Sequence, residues 1–496
     1  MVTTTTSDNI EVAGEAAHTL SPVTAAKSAK EVDPFLVEFQ QPCDDDNPFD
    51  WSAGRKWMAT DVLSATGFNR IMVSTIMAPA LGTIATELNM NATEAAMSLS
   101  IFLLATAFGP LVMGPLSEVY GRQAVLHGSS VWFLAWNLAC GLAKTKEALI
   151  ASRFMAGFGG SAIYSLGAGV LGDIWRPDQR GKTLGIYLLI PILGSAVGPI
   201  IGGFMAGRTT WRWMFWSTSI FQAVMLAVTM VTFPETYGPV ILRRRAAKLR
   251  RETRDPRYYT AVERRDGKRS AARVIARALG RPCRLLLLHP IIQLTSIMSG
   301  FGYGTLYVVL STYSTLWTDQ YNQSVEISGL HYITCALGEI IGAQIMGWLM
   351  DRYYKRQVRA NSAPEDRLPL MLPAIVIGWG GMLVYGWLAE RRLHWALVDA
   401  AVIFMMLGQQ MAGMPGTAYV IDTYAEHTSS AMAAQQFVRS LTAFLFPLFA
   451  PSMYSKLGYG WGNTVMGISG ILVLGLPTWY LYRRGSHYRN KARSVY

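Results

Sequence analysis

Apolar blocks of nearly constant length, parted by short polar stretches, run through almost the whole chain. They fall at roughly 58–82, 95–117, 123–143, 148–172, 183–206, 212–233, 285–316, 326–350, 370–389, 394–420, 429–455 and 462–482. A helix needs about 20 predominantly apolar residues to cross a bilayer. The blocks therefore predict an all-α membrane protein with twelve transmembrane helices, six before and six after a polar stretch. The seventh block is long enough to need a tilt or a break. A length of 496 residues would otherwise suit several soluble domains, but only 15% of the residues are charged, against about 25% in soluble proteins.

Charge sets the topology. The net charge of +12 is uneven. Residues 1–50 carry ten acids against Lys27 and Lys30, whereas residues 234–282 carry fifteen Lys/Arg against five acids. A basic segment between apolar blocks points to a cytoplasmic loop near anionic lipid rather than to nucleic acid. An even number of spans puts both termini on one side. That side collects Arg55, Lys56, Arg122, Arg176, Arg180, Lys182, the basic loop, the 352–359 cluster, Arg483 and Arg484. Both termini are thus expected in the cytoplasm. The sequons at Asn91 and Asn322, candidate glycosylation sites, fall on the opposite side. The expected organisation is a disordered cytoplasmic tail (1–56), an N-terminal six-helix bundle (57–233), a basic linker (234–284), a C-terminal six-helix bundle (285–482) and a cytoplasmic tail (483–496). Within the linker, 243–254 reads either as a basic surface helix or as solvated chain. No cleavable signal peptide is visible, and Cys43, Cys140, Cys283 and Cys335 have no disulfide or metal spacing.

The halves repeat. Gly114-Pro-Leu-Ser-Glu118 answers Gly347-Trp-Leu-Met-Asp351, Asp173 answers Asp422, and Pro199 answers Pro447, at offsets of 233, 249 and 248 residues. Three matches in order point to a duplicated six-helix unit.

Three motifs carry chemistry. Gly114-Pro-Leu-Ser-Glu-Val-Tyr-Gly-Arg122 sets a turn at Gly121 between helix-end charges. Arg153-Phe-Met-Ala-Gly157 puts a cation inside a span, where charge is costly and faces a cavity or a partner. Gly194, Gly198 and Gly202 recur every fourth residue, so they line one helix face, with Pro199 and Gly203 beside them. Together these motifs resemble the major facilitator superfamily over all the chain after residue 46, and within it the fungal twelve-span drug/proton antiporters. The resemblance implies two pseudo-symmetric bundles that rock about a central site. It implies a conformational latch made of Gly114, Glu118, Gly121, Arg122, Asp173 and Asp351. It also implies an antiporter motif made of Gly194, Gly198, Pro199, Gly202 and Gly203.

Glu339, mid-way through the eighth block, is the foremost proton-coupling candidate; Arg153, Asp399 and Arg439 are further ones. Tyr303, Tyr307, Trp379 and Tyr419 are aromatic residues for a substrate cavity. Gly181-Lys-Thr183 echoes a phosphate-binding loop, but Arg176 stands where its first glycine belongs, and neither a catalytic nor a metal motif is present. The expected activity is proton-driven export of a small organic molecule (drug, toxin or secondary metabolite) by a multi-pass plasma-membrane protein, or one of the vacuolar membrane. It is expected to be a monomer in the lipid bilayer, with no enzymatic activity, cofactor, metal or nucleic acid. The alternatives are an uptake carrier or facilitator and a transporter-like receptor.

Overall fold

A computed structural model of the protein describes residues 33–40, 42–266, 271–357, 363–424 and 428–493. The described residues are helical apart from loops and one isolated bridge between Leu36 and Tyr259. The first half comprises α1 (Ala53–Thr75), α2 (Ala92–Tyr120), α3 (Arg122–Leu142), α4 (Lys146–Ile174), α5 (Pro177–Arg208) and α6 (Arg212–Thr232). The second comprises α7 (Pro290–Thr315), α8 (Tyr332–Gln357), α9 (Met371–Glu390), α10 (Trp395–Thr423), α11 (428–457) and α12 (459–493). Among the described residues, eight helices are long and apolar enough by composition to cross a membrane, with α11 and α12 counted as one. The break at Gly458 divides that pair. A bent pair supplies α7, and α1 and α5, of 23 and 32 residues, complete the twelve.

The long seventh block breaks rather than tilts. Pro290 opens α7 after an extended His289, and the helix before it meets α7 at 95°. A proline at the first helical position needs no N–H donor, so the kink falls there cheaply. Past residue 482, where a tail was expected, α12 continues to Arg493. Arg489 holds it to the buried Glu365 through bonds of 3.0 and 3.2 Å.

The expected disordered tail is corrected from Asp33 onward. Residues 33–40 and 42–50 strap across the linker. Val37 N–H donates to Tyr259 O (2.8 Å) and Tyr259 N–H to Phe35 O (2.9 Å). Arg245 grips Asp44 through two bonds (2.7 and 3.3 Å), and Arg257 covers the Phe35 ring at 4.1 Å. Composition suggested disorder because this segment has little apolar surface of its own; a partner some two hundred residues away supplies the rest. The basic stretch is a helix, Gly238–Thr253, with Val240 and Ala246 buried against protein.

One large cluster of buried apolar residues runs through both halves, a smaller one lies within the first half, and the halves meet along α2 with α11 and α5 with α8. At mid-depth Phe108 meets Phe437 edge-on, and the Thr106 and Ser440 hydroxyls lie 2.9 Å apart. On the face opposite the termini, Ser314 Oγ donates to Pro79 O (3.3 Å) and bonds Ser328 (2.8 Å).

Candidate functional site

The glycine motif on α5 has two working faces. A Cβ on Gly194 would lie 2.6 Å from Phe68 O, one on Gly198 2.7 Å from Met72 O, and one on Gly202 against Ile76 O. Glycines every fourth residue thus meet carbonyls every fourth residue on α1, bringing two backbones to a distance no larger side chain permits. Gly203, turned to the other half, faces Val325 O, which a Cβ there would meet at 2.8 Å, and Pro199 O sits under Gly329. The motif packs its own bundle and the seam between bundles at once.

At the termini face, Arg122 Nε donates to Asp173 Oδ2 (3.0 Å), uniting two of the latch residues. Glu118 does not join them: it is exposed, and its position, one turn before Gly121, points outward. The carboxylate there belongs to Glu235 of Pro234-Glu-Thr236. Its Oε1 accepts from the backbone N–H of Arg122 (2.8 Å) and so caps α3. Gly121, at φ 102°, leaves the room this carboxylate fills, and Gly114 packs on Ser165. In the second half, Arg367 pairs with Asp422 at 2.9 Å. The Asp173–Asp422 correspondence read from the sequence thus recurs as paired chemistry. The side chain of Asp351 lies outside the described residues.

Arg153 is fully buried, but in packed protein rather than at an interface or in a cavity. Its guanidinium donates to the carbonyls of Val73 (3.0 Å), Ser98 (3.3 Å) and Leu99 (3.4 Å), with Phe102 beneath it. Arg70, which sequence reading passed over, is buried likewise against Ser130 Oγ (2.7 Å) and Gly159 O (3.3 Å). Both cations staple helices of the first bundle.

Asp399 lies near the start of α10, at the face opposite the termini, rather than in mid-span. It is buried, with Oδ1 accepting from Tyr313 Oη and Oδ2 facing His331 Nδ1, each at 2.7 Å. His331 Nε2 is 2.8 Å from Gln323 Oε1, and its ring stacks on Trp317 at 3.7 Å. Tyr313 Oη also lies 3.1 Å from Thr334 Oγ1. Trp317 belongs to a π-helical turn, Leu316–Gln320, of the kind that often marks functional sites. Nothing in the local sequence links His331 to Asp399, 68 residues on; a lone histidine at the head of an apolar block was the one available signal.

Glu339 sits on the side of α8 away from its exposed stripe of Leu337, Ile341, Ile345 and Trp348. It therefore faces the interior, and among the described residues no ion pair holds it. Gly338 and Gly342 beside it press on α10, where a Cβ on either would come within 2.6 Å of Ile403 O or Leu407 O. Arg439 lies over the Tyr303 ring at 4.3 Å, and Tyr303 meets Tyr307 edge-on at 5.3 Å. Trp379 and Tyr419 are fully buried packing residues. Asn91 caps α2, its Oδ1 accepting from Glu94 N–H at 2.8 Å, and Asn322 takes a left-handed φ of 52°.

Twelve helices in two like halves, with polar groups buried along the seam, define a membrane transporter rather than an enzyme. The family model of the Major Facilitator Superfamily matches residues 63–447. The chain is 49% identical to "Probable efflux pump mfs2" of Aspergillus flavus, over 85% of this chain and all of that one. It is 38% identical to "Efflux pump vrtL" of Penicillium aethiopicum, over 89% and 88% of the two chains. Among solved structures it resembles a D-xylose-proton symporter, with a TM-score of 0.63, 16% identity and coverage of 85% of this chain and 97% of that one. The chain belongs to the major facilitator superfamily, and the relatives named here are fungal efflux pumps.

Proposed function

We propose that this transporter exports small organic molecules from the cytoplasm in exchange for protons. Both termini then lie in the cytoplasm of a cell whose plasma membrane holds the protein, as the Lys/Arg bias of the loops supports. The seam contacts at Pro79, Ser314, Gly203 and Gly329 lie on the outer face, which suits a conformation closed to the outside.

The observation that carries the reading is the buried Asp399–His331 pair, bonded to Tyr313 and set one residue from the seam contact at Ser314. A carboxyl bonded to an imidazole sets a proton acceptor and a proton carrier side by side, enclosed in this conformation and reached by water once the helices part. Tyr321, Arg392 and Cys335 are further ionisable groups around this corner. Separation of α7, α8 and α10 at the outer face would open the pair to the external proton pool. Glu339, facing the interior, would receive that proton and release it when cargo enters. One charge crossing 100 mV supplies about 2.3 kcal/mol, enough for a cargo gradient of nearly fiftyfold.

The test is transport in sealed liposomes. An imposed acid exterior should drive cargo uphill, and Asp399→Asn, His331→Gln and Glu339→Gln should each abolish that drive while leaving gradient-free exchange of labelled for unlabelled cargo. Wild-type protein that ignores the acid jump and merely equilibrates its solute refutes proton coupling.

A further inference from the structure

Three arginines lie within the membrane-spanning part of the seam and bundles: Arg70, Arg153 and Arg439. Among the described residues, the first two are held by carbonyls and a serine of their own bundle, with only Arg70 Nε left unpaired. Arg439 differs. Among the described residues its guanidinium has no ion pair and no hydrogen-bond partner, and its Nε is buried without one. Its close neighbour is an aromatic face, Tyr303.

Its depth is fixed by the residue beside it. Ser440 lies 2.9 Å from Thr106, at the midpoint of the 29-residue α2, and also accepts from Gln436 Nε2 at 3.0 Å. Arg439 therefore stands at the middle of the bilayer, on the seam. Tyr164, from α4 of the other half, is near enough for Arg439 and Tyr303 to act on its hydroxyl, and it is 36% exposed. Those two neighbours belong to the opposite half, so the Tyr164 hydroxyl stands toward the seam. Glu339, the acid facing the interior of the second bundle, forms no ion pair with Arg439.

A guanidinium at this depth is tolerated only with an anion, a full set of acceptors or an open cavity before it; Arg439 is half-buried, and the ring face of Tyr303 is a partial substitute. We infer that Arg439 recognises an anionic group on the cargo, and that the cargo is a small aromatic acid bearing a carboxylate or an ionised phenol or enol. The planar fork of the guanidinium matches two oxygens of such a group. Tyr303 and Tyr307 on one side and Tyr164 on the other supply faces and edges for its rings. The aromatic residues of this seam thus surround an acid-binding cation, which disfavours cationic cargo at this position.

The inference rests on the exporter reading but is tested without a gradient. Full-length protein in lipid nanodiscs is titrated with three isosteric probes: 2-naphthoate, 2-naphthamide and 2-naphthylmethylammonium. Naphthoate should bind at least about tenfold tighter than the amide, and the ammonium weakest. Arg439→Gln should erase the preference for naphthoate and leave amide binding unchanged. Should that variant not fold, Arg439→Lys must weaken naphthoate alone, because it keeps the charge and loses the fork. Tyr303→Leu should weaken all three probes alike. Equal or tighter ammonium binding overturns the inference, as does a naphthoate preference that survives Arg439→Gln or a failure of naphthoate to bind at millimolar concentration. Loss of acid preference with intact pH-driven export would sink this inference alone. Intact preference with no pH-driven export would sink the exporter reading alone.

Discussion

Gly121 and Gly458 hold the two positive glycine φ angles of the described chain, 102° and 70°, and each lies against a carboxylate. Glu235 caps α3 beside the first. Glu390 Oε2 accepts from Tyr459 N–H (2.7 Å) and Gly460 N–H (3.2 Å) and so caps α12 beside the second. Negative charge at a helix N-terminus is favourable, and only glycine leaves room for it here. Gly121→Ala should therefore cost about 1–3 kcal/mol for the backbone alone and displace Glu235, seen as a lower thermal midpoint. At Arg153 the carbonyl partners and the lack of an acid argue for a staple. Arg153→Met should shift the thermal midpoint by a few degrees and leave the pH profile of transport unmoved; a displaced profile would restore it to the proton path. The motif around Arg153 was legible in the sequence. Its role was not, because the carbonyls that bind it come from α1 and α2.

The strap of residues 33–40 and 42–50 is the element that sequence reading missed. Hydrogen bonds from Arg245 hold the Asp44 carboxyl down to about 2, against burial, which opposes them. Since this lies below the ordinary value of 3.8, the pair contributes fully above about pH 4, and its contribution fades as pH falls toward 2. The strap should accordingly stay docked from pH 5 to 8. Asp44→Asn should release it at every pH, read as faster hydrogen exchange over 33–47; unchanged exchange would mean that Val37, Phe35 and Tyr259 suffice. The α12 extension past residue 482 was missed for a similar reason. Its residues are polar, and the contact that orders it, Arg489 with Glu365, is 124 residues long in sequence.

At the scale of the molecule, the two halves touch through small residues on the face opposite the termini. A side chain on Gly203 would strike Val325 O and Gly329. Gly203→Leu should therefore wedge α5 from the short helix Val325–Leu330 that precedes α8 and shift the population toward a state open on that face. Labelling of single cysteines placed at Ser314 and Ser328 should rise severalfold in this variant. Unchanged labelling would mean that the seam yields elsewhere.

The number of spans, their length, the basic linker and the duplicated motifs follow from the sequence alone. A helix that crosses hydrocarbon must be long and apolar, because its side chains meet lipid and its backbone bonds close within it. The spacing of Gly194, Gly198 and Gly202 likewise foretold a close helix contact. Tertiary structure decided which partner each polar group meets: Glu235 rather than Glu118 at Gly121, carbonyls around Arg153, His331 against Asp399, and an aromatic face for Arg439. Periodicity is a property of neighbours along the chain. Pairing across a bundle joins residues tens to hundreds of positions apart, and no local pattern records it.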